Sequence, residues 1–245
     1  MPVNPRKVKH ADEQLTWERC RRDAHVFIFE YVRTKDEHDT ANPIKPFPDT
    51  AYLRGLLDAL LVSGHLLKPS DGLRAHECGH SGLWLQALAS SGILLVEKSR
   101  QVMATWLCCA YLLWRAKFRE HQLILVQSKR EDDAANLVFN REPFVARISF
   151  MELMLPPYLK SLSFPRNGAF AQLTFPNGSR IWGIPEGSDI IRSNTASVIF
   201  SDEAAFQPEF GGAFTAALPA VKGGGQFIGI SSAEPGTFAE LVEAA

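Results

Sequence analysis

Three short stretches of this chain carry atoms suited to holding a phosphate and a divalent cation, and each comes directly after an apolar run. After 92-GILLV-96 comes 97-EKSRQVMAT-105. A phosphate loop reads G-x-x-x-x-G-K-[ST], and here only Thr105 obeys it. Aligned on Thr105, Lys98 stands at the first glycine, Met103 at the second and Ala104 at the lysine. The N–H groups of a helix N-terminus face an anion whatever the side chains are. Lys98 and Arg100 are available to replace the missing charge. The plainer reading is a strand-to-helix turn with two solvated cations.

The second stretch is 201-SDEAAF-206, after 197-SVIF-200. A buried strand ending in Asp-Glu suits one carboxylate that holds Mg²⁺ and another that polarises water. Two adjacent carboxylates beyond a buried strand are costly unless a cation meets them. An acidic helix N-cap is the alternative. Third, 231-SSAEPG-236 comes after 226-QFIGI-230 and offers hydroxyls to a γ-phosphate, or is an ordinary Ser-rich turn. Arg192, in 189-DIIRSNTAS-197, is placed to reach a nucleotide in its own subunit or a neighbour, or to form a surface salt bridge. Each motif is weak alone; their order and strand context make them stronger together. The stretch 75-AHECGH-80 lacks a second cluster at zinc spacing, so His76, Cys78 and His80 read as a loop.

These motifs need a scaffold of strands that end together. The chain has 245 residues and 46% hydrophobic content, enough for one large domain or a domain with an appendage. A net charge of −1 advertises no nucleic-acid partner through a global field. Cys20, Cys78, Cys108 and Cys109 form no C-x-x-C pair, which suits reduced core thiols in a cytosolic protein. No signal-peptide core opens the chain, and the apolar run near Trp106–Trp114 is about half a membrane span. A soluble intracellular protein is expected.

Residues 1–15 read as a polar, loose arm, 16–33 as a helix and 34–49 as a proline-containing loop. Residues 50–67 read as a helix, with Asp49 or Thr50 as N-cap and Gly64 near its end. Apolar runs then alternate with helical stretches such as 130-REDDAANLVFN-140. In 170-FAQLTFPNGSRIWGIP-185, Asn177-Gly178 signals a β-hairpin. GGAF and KGGGQ read as Gly-rich loops. The pattern predicts an α/β fold, a mainly parallel sheet covered on both faces. The chain stops in a helical stretch, LVEAA, which reads as a domain boundary.

The set EKSRQVMATW, IIRSNTASVIFSDEAAF and GISSAEPGTF resembles the ATPase domain of tailed-bacteriophage large terminase subunits, which pump DNA into a procapsid. Their phosphate loop is often deviant, and in one branch the lysine moves to the front, as Lys98 does here. NPIKPFPDTAYL also resembles the family's segment near the adenine. The resemblance runs from about residue 25 to the end. It implies a P-loop NTPase fold of the ASCE type, with a helical N-terminal segment over 1–85, an ATPase core over 86–245 and a β-hairpin insertion.

The resemblance further implies ATP and Mg²⁺ as ligands. Lys98, Ser99, Arg100, Gln101, Val102, Met103, Ala104 and Thr105 would form the phosphate loop, with Thr105 and Asp202 on Mg²⁺. Glu203 would be the catalytic carboxylate, assisted by Arg100 and by Arg192 in trans. Ser231, Ser232 and Ala233 would couple hydrolysis to motion. Implied partners are double-stranded DNA, the portal and procapsid, a small terminase subunit and further copies in a ring, with no membrane. The implied location is the host cytoplasm. Met103 departs from the family's glycine, Tyr52-Leu53 from its adenine pattern, and the nuclease half is expected to be absent. Another translocase or helicase-type ATPase, or a non-catalytic docking module with a decayed loop, are the rival readings.

Overall fold

The computed structural model describes residues 5–66, 92–99, 103–161 and 171–244. Helix α1 (Pro5–Arg22) leads into a π-helical turn (Val26–Tyr31), and then into a two-stranded antiparallel ribbon, β1 (Arg33–Lys35) with β2 (Ile44–Pro46). Then come α2 (Ala51–Ser63), β3 (Ile93–Glu97), α3 (Ala104–Phe118), β4 (Leu123–Gln127), α4 (Glu131–Val138) and α5 (Arg147–Met154). The chain continues through β5 (Gln172–Thr174), β6 (Arg180–Ile184), α6 (Asp189–Arg192), β7 (Val198–Asp202), a 3₁₀ turn (Ala204–Phe206), α7 (Phe210–Lys222), β8 (Gln226–Ser231) and α8 (Thr237–Glu243).

The six-stranded sheet has the order β3-β8-β7-β4-β6-β5. Every pairing is parallel except β5 with β6. Side chains alternate between the sheet's faces. Leu94, Val96, Ile124, Val126, Val198, Phe200, Ile228 and Ile230 join the core built with α2, α3 and α5. Their neighbours Leu95, Leu125, Ile199 and Phe227 join the core built with α7 and α8. Both faces are therefore covered, which is why these strands read as continuous apolar runs rather than alternating ones. Helix α3 is buried almost all round, from Leu107 to Phe118, as expected of a helix apolar on every side.

Buried polar groups lock the layers. Lys117 on α3 meets Glu152 on α5 at 3.0 Å with both side chains inaccessible, and Ser161 accepts from the same ammonium at 2.6 Å. At the end of β8 opposite the strand-end motifs, Gln226 donates to Leu60 O and Ser63 and accepts from Tyr111 and Arg115.

Several expectations are corrected. The arm over 1–15 is largely helical, because α1 starts at Pro5; proline suits the first helical position, where no N–H is needed. The single helix over 16–33 breaks after Arg22 and resumes as the π turn. The loop over 34–49 contains β1 and β2, paired from Arg33↔Pro46 to Lys35↔Ile44. GGAF lies inside α7: Phe210, Ala213, Ala217 and Val221 form a buried stripe at helical spacing, and that burial offsets a cost of ~1 kcal/mol for each glycine. The hairpin is real, but its second strand β6 is a full member of the sheet, parallel to β4, rather than an insertion.

The caps behave as read. Thr50 accepts from Leu53 N–H, and Gly64 is the C-cap of α2. Asn177 also has a task that its turn signal did not reveal. Its Nδ2 donates to the carbonyls of Ala116, Lys117 and Arg119, closing the C-terminus of α3.

Candidate functional site

The strand order puts β8 between β3 and β7, so the three motifs end side by side. Lys98 N–H donates to Ser231 O at 2.9 Å, and Ala205 N–H donates to Ser231 Oγ at 3.1 Å. Ser231, fully buried, thus ties the loop after β3 to the turn after β7.

Alternation along β7 carries Asp202 to the same face as Val198 and Phe200, the face that α3 covers. Thr105, in the first turn of α3, donates its hydroxyl to Asp202 Oδ1 at 3.0 Å. Gln207 Nε2 donates to Asp202 O at 2.8 Å and steadies the strand end. Asp202 is 7% exposed, and burial raises its pKa above the ordinary aspartate value; the Arg147 charge, the Thr105 hydrogen bond and Lys98 oppose that rise. Asp202 has no ion pair among the described residues. A buried carboxylate beside a hydroxyl, with room in front, fits a hard cation such as Mg²⁺, which takes one or two protein oxygens and completes its shell with water and phosphate. Among the described residues no group of three or more His, Cys, Asp or Glu gathers to hold a metal on its own.

The next residue points elsewhere. Glu203 is left-handed, φ 50° and ψ 47°, an uncommon conformation for a residue with a side chain. The turn brings its half-exposed carboxylate to Lys98 Nζ at 2.9 Å, and Ser232 Oγ donates to its other oxygen at 3.5 Å. The Lys98 side chain is only 7% exposed. Met103, the N-cap residue of α3, is also left-handed, φ 60° and ψ 10°. The backbone therefore keeps the conformation that a glycine would favour there, despite the side chain.

These residues face a cleft in two compartments. The outer, about 1020 Å³, runs from Lys98, Met103 and Thr105 out to the β1–β2 ribbon, Pro48 and Phe144. The inner, about 620 Å³, holds Asp202, Glu203, Ser232, Ser128 and Lys129. Lys98, Thr105, Glu203, Asn136 and Arg147 line both.

Of the residues singled out in the sequence, Lys98, Met103, Ala104, Thr105, Asp202, Glu203, Ser231 and Ser232 come together here. Ser99 and Ala233 are exposed at the rims of the converging loops. Arg100, Gln101, Val102 and the 75–80 stretch lie outside the described residues. Arg192 does not join the cleft; it is exposed and lines a separate groove with Asn194, Thr195 and Thr215 on the α7 side. Tyr52 is 47% exposed and lines neither compartment. Sequence reasoning missed Ser128 and Lys129, which sit just beyond β4 and become candidates once the strand-end rule is extended to that strand. It also missed Arg147, whose helix was not read from the sequence at all. Among the described residues no helix is long and apolar enough to cross a membrane.

No family model matches the chain, and no curated protein does. Among solved structures, the HK97 bacteriophage large terminase matches 85% of this chain and 36% of its own, at 12% identity and a TM-score of 0.52. A large terminase from a thermophilic bacteriophage, in complex with ADP, matches 71% of this chain and 37% of its own, at 17% identity and a TM-score of 0.45. The ATPase domain of the Thermus phage P74-26 large terminase matches 63% of this chain and 66% of its own, at 15% identity and a TM-score of 0.42. Over most of its length this chain is thus similar in fold to the HK97 bacteriophage large terminase, of which it spans 36%.

Proposed function

We propose that the chain is an ATP-hydrolysing motor domain of a viral large terminase, driving double-stranded DNA into a procapsid. The observation that carries this reading is the meeting of Thr105 with Asp202 and of Lys98 with Glu203 at three adjoining strand ends. The fold likeness to the HK97 large terminase supports it. In this reading residues 86–245 are the ATPase core, and residues 1–85 brace it.

Phosphoryl transfer depends on positioning and charge stabilisation more than on covalent chemistry. The first turn of α3 presents N–H groups to the phosphates, and Lys98 neutralises them from the front of the loop, where Ala104 has no charge to offer. Thr105 and Asp202 would hold Mg²⁺, which when bound draws charge from the phosphate oxygens. Glu203, released from Lys98 by the incoming nucleotide, orients the attacking water. Arg100 belongs to the same loop. Ser231, Ser232 and Ala233 link this event to the turn after β7 and pass it on as movement. Arg192, pointing away from its own cleft, serves a neighbour's site in a ring. DNA is held through its phosphates without sequence readout. The remaining partners of the reading are the portal, the small terminase subunit and the procapsid, in the host cytoplasm.

Calorimetric titration of ATP into the chain tests the reading. Saturable binding that needs Mg²⁺ and is lost in Thr105→Ala is expected. No binding, or binding indifferent to Mg²⁺ and to Thr105, would favour a docking module that never turns over nucleotide.

A further inference from the structure

Arg147 is the first residue of α5 and lines both compartments of the cleft. Its guanidinium lies 5.7 Å from the centre of the Trp106 ring. Trp106 is braced edge-on by Phe150, one turn along the same helix as Arg147, at 6.1 Å. A guanidinium over an aromatic face is held in orientation without spending its hydrogen-bond donors. Among the described residues Arg147 makes no ion pair or hydrogen bond. Other cations differ: Lys98 is paired with Glu203, Lys117 with Glu152, Lys45 with Asp39 and Arg130 with Asp133. Lys129 and Lys35 also line the cleft, but they are exposed, and neither lies over an aromatic ring among the described residues. Arg147 is thus a half-buried, pre-oriented cation near the charge of Asp202, with donors that make no hydrogen bond among the described residues.

Its place along the cleft says which part of a ligand it meets. The outer compartment leads from Lys98 and Thr105 to the β1–β2 ribbon. The inner one holds Asp202, Glu203 and Ser232. Arg147 lines both compartments together with Lys98 and Thr105, suited to phosphate, and Glu203, suited to water. We propose that Arg147 grips the terminal phosphate of a bound nucleoside triphosphate from within its own chain, through two parallel N–H···O bonds, and so makes the site prefer triphosphate to diphosphate. This inference rests on the nucleotide reading above. A planar fork matches phosphate oxygens in a way that a lysine ammonium does not.

Equilibrium binding of a non-hydrolysable ATP analogue and of ADP, each with Mg²⁺, tests it on the full chain. Arg147→Met keeps an unbranched stem over Trp106 and removes the charge; Arg147→Lys keeps a charge and removes the fork. Charge-assisted hydrogen bonds of this kind correspond to about tenfold or more in affinity. The expected result is a loss of about that size for the analogue in Arg147→Met, a change within about twofold for ADP, and partial recovery in Arg147→Lys. Equal losses for both nucleotides would assign Arg147 to general structure, and no loss for either would remove it from the site; both results overturn the inference while leaving the nucleotide reading intact. A wild-type chain that binds neither nucleotide overturns the reading and the inference together. If Arg147→Met does not fold, Arg147→Lys decides alone: an unchanged ratio of analogue to ADP affinity overturns the inference.

Discussion

Lys98 Nζ lies 2.9 Å from Glu203 Oε1, although the two are 105 residues apart in sequence. One is the cation proposed to stand in for a missing loop lysine, and the other is the carboxylate proposed to orient water. Each is the other's partner here, so in the proposed reading nucleotide binding and release of Glu203 would be one event. Lys98→Ala is therefore expected to weaken ATP binding about tenfold or more, as loss of a charge-assisted contact does. Solvent reaches the pair on the Glu203 side while the Lys98 side chain is covered, so Lys98→Ala is expected to lower stability only modestly, by about 1 kcal/mol. Wild-type affinity in Lys98→Ala, measured by calorimetry, would remove the moved lysine from the account.

Asp202 has the opposite character, a buried carboxylate whose pKa burial raises. The unfolded chain deprotonates it near the ordinary value of 3.8, while the folded chain holds the proton to higher pH. Stability is then lost as pH rises through that window, because folding must bury the charge. Asp202→Asn is expected to match wild type in strong acid and to melt higher near neutral pH, at the expense of Mg²⁺-dependent binding. Mg²⁺ with ATP should stabilise wild type and not the variant. Thermal melts across pH, with and without both ligands, check each part; a variant less stable than wild type at neutral pH would contradict the burial argument.

Met103 tests whether the loop tolerates a side chain by strain or by design of the turn. Its φ of 60° costs a residue with a Cβ on the order of 1 kcal/mol, while its side chain packs partly against the main core. Met103→Gly relieves the first and loses the second, so its stability should stay within about 1 kcal/mol of wild type with ATP binding kept. Met103→Val, β-branched at a left-handed position, should lose roughly 1–3 kcal/mol and ATP affinity with it. Equal tolerance of both, by chemical denaturation, would show that the turn does not require this conformation.

Arg192 faces a groove on the α7 side rather than its own cleft. If it completes a neighbour's site, Arg192→Ala and Glu203→Gln chains fail for complementary reasons. Mixed together they should recover part of the ATPase rate, because some interfaces pair an intact Arg192 with an intact Glu203. A rate that stays flat across mixing ratios would place Arg192 outside catalysis.

Physical causes decide how much of this the sequence reveals. β3, β7 and β8 were legible because strands buried on both faces read as apolar runs, and their ends carry the hydroxyls and carboxylates at issue. Thr50, Gly64 and Asn177-Gly178 were legible because caps and turns are local chemistry. α7 was not, since Gly211 and Gly212 carry a loop signal that only the stripe Phe210, Ala213, Ala217 and Val221 outweighs. The pairing of Lys98 with Glu203 depends on β8 lying between β3 and β7, a strand order that no local pattern encodes. Arg147 enters the cleft because α5 packs on α3 through Phe150 and Trp106, a contact between segments far apart in sequence.

The most direct test of the central claim compares Glu203→Gln with wild type in ATP binding and in phosphate release, both with Mg²⁺ and under conditions where wild type turns over. The substitution keeps shape and removes the charge that orients water, and it frees Lys98. Binding at least as tight as wild type, with phosphate release reduced by at least about a hundredfold, is the result expected of a positioned general base. Turnover at the wild-type rate would contradict the assignment of this cleft as an ATPase centre.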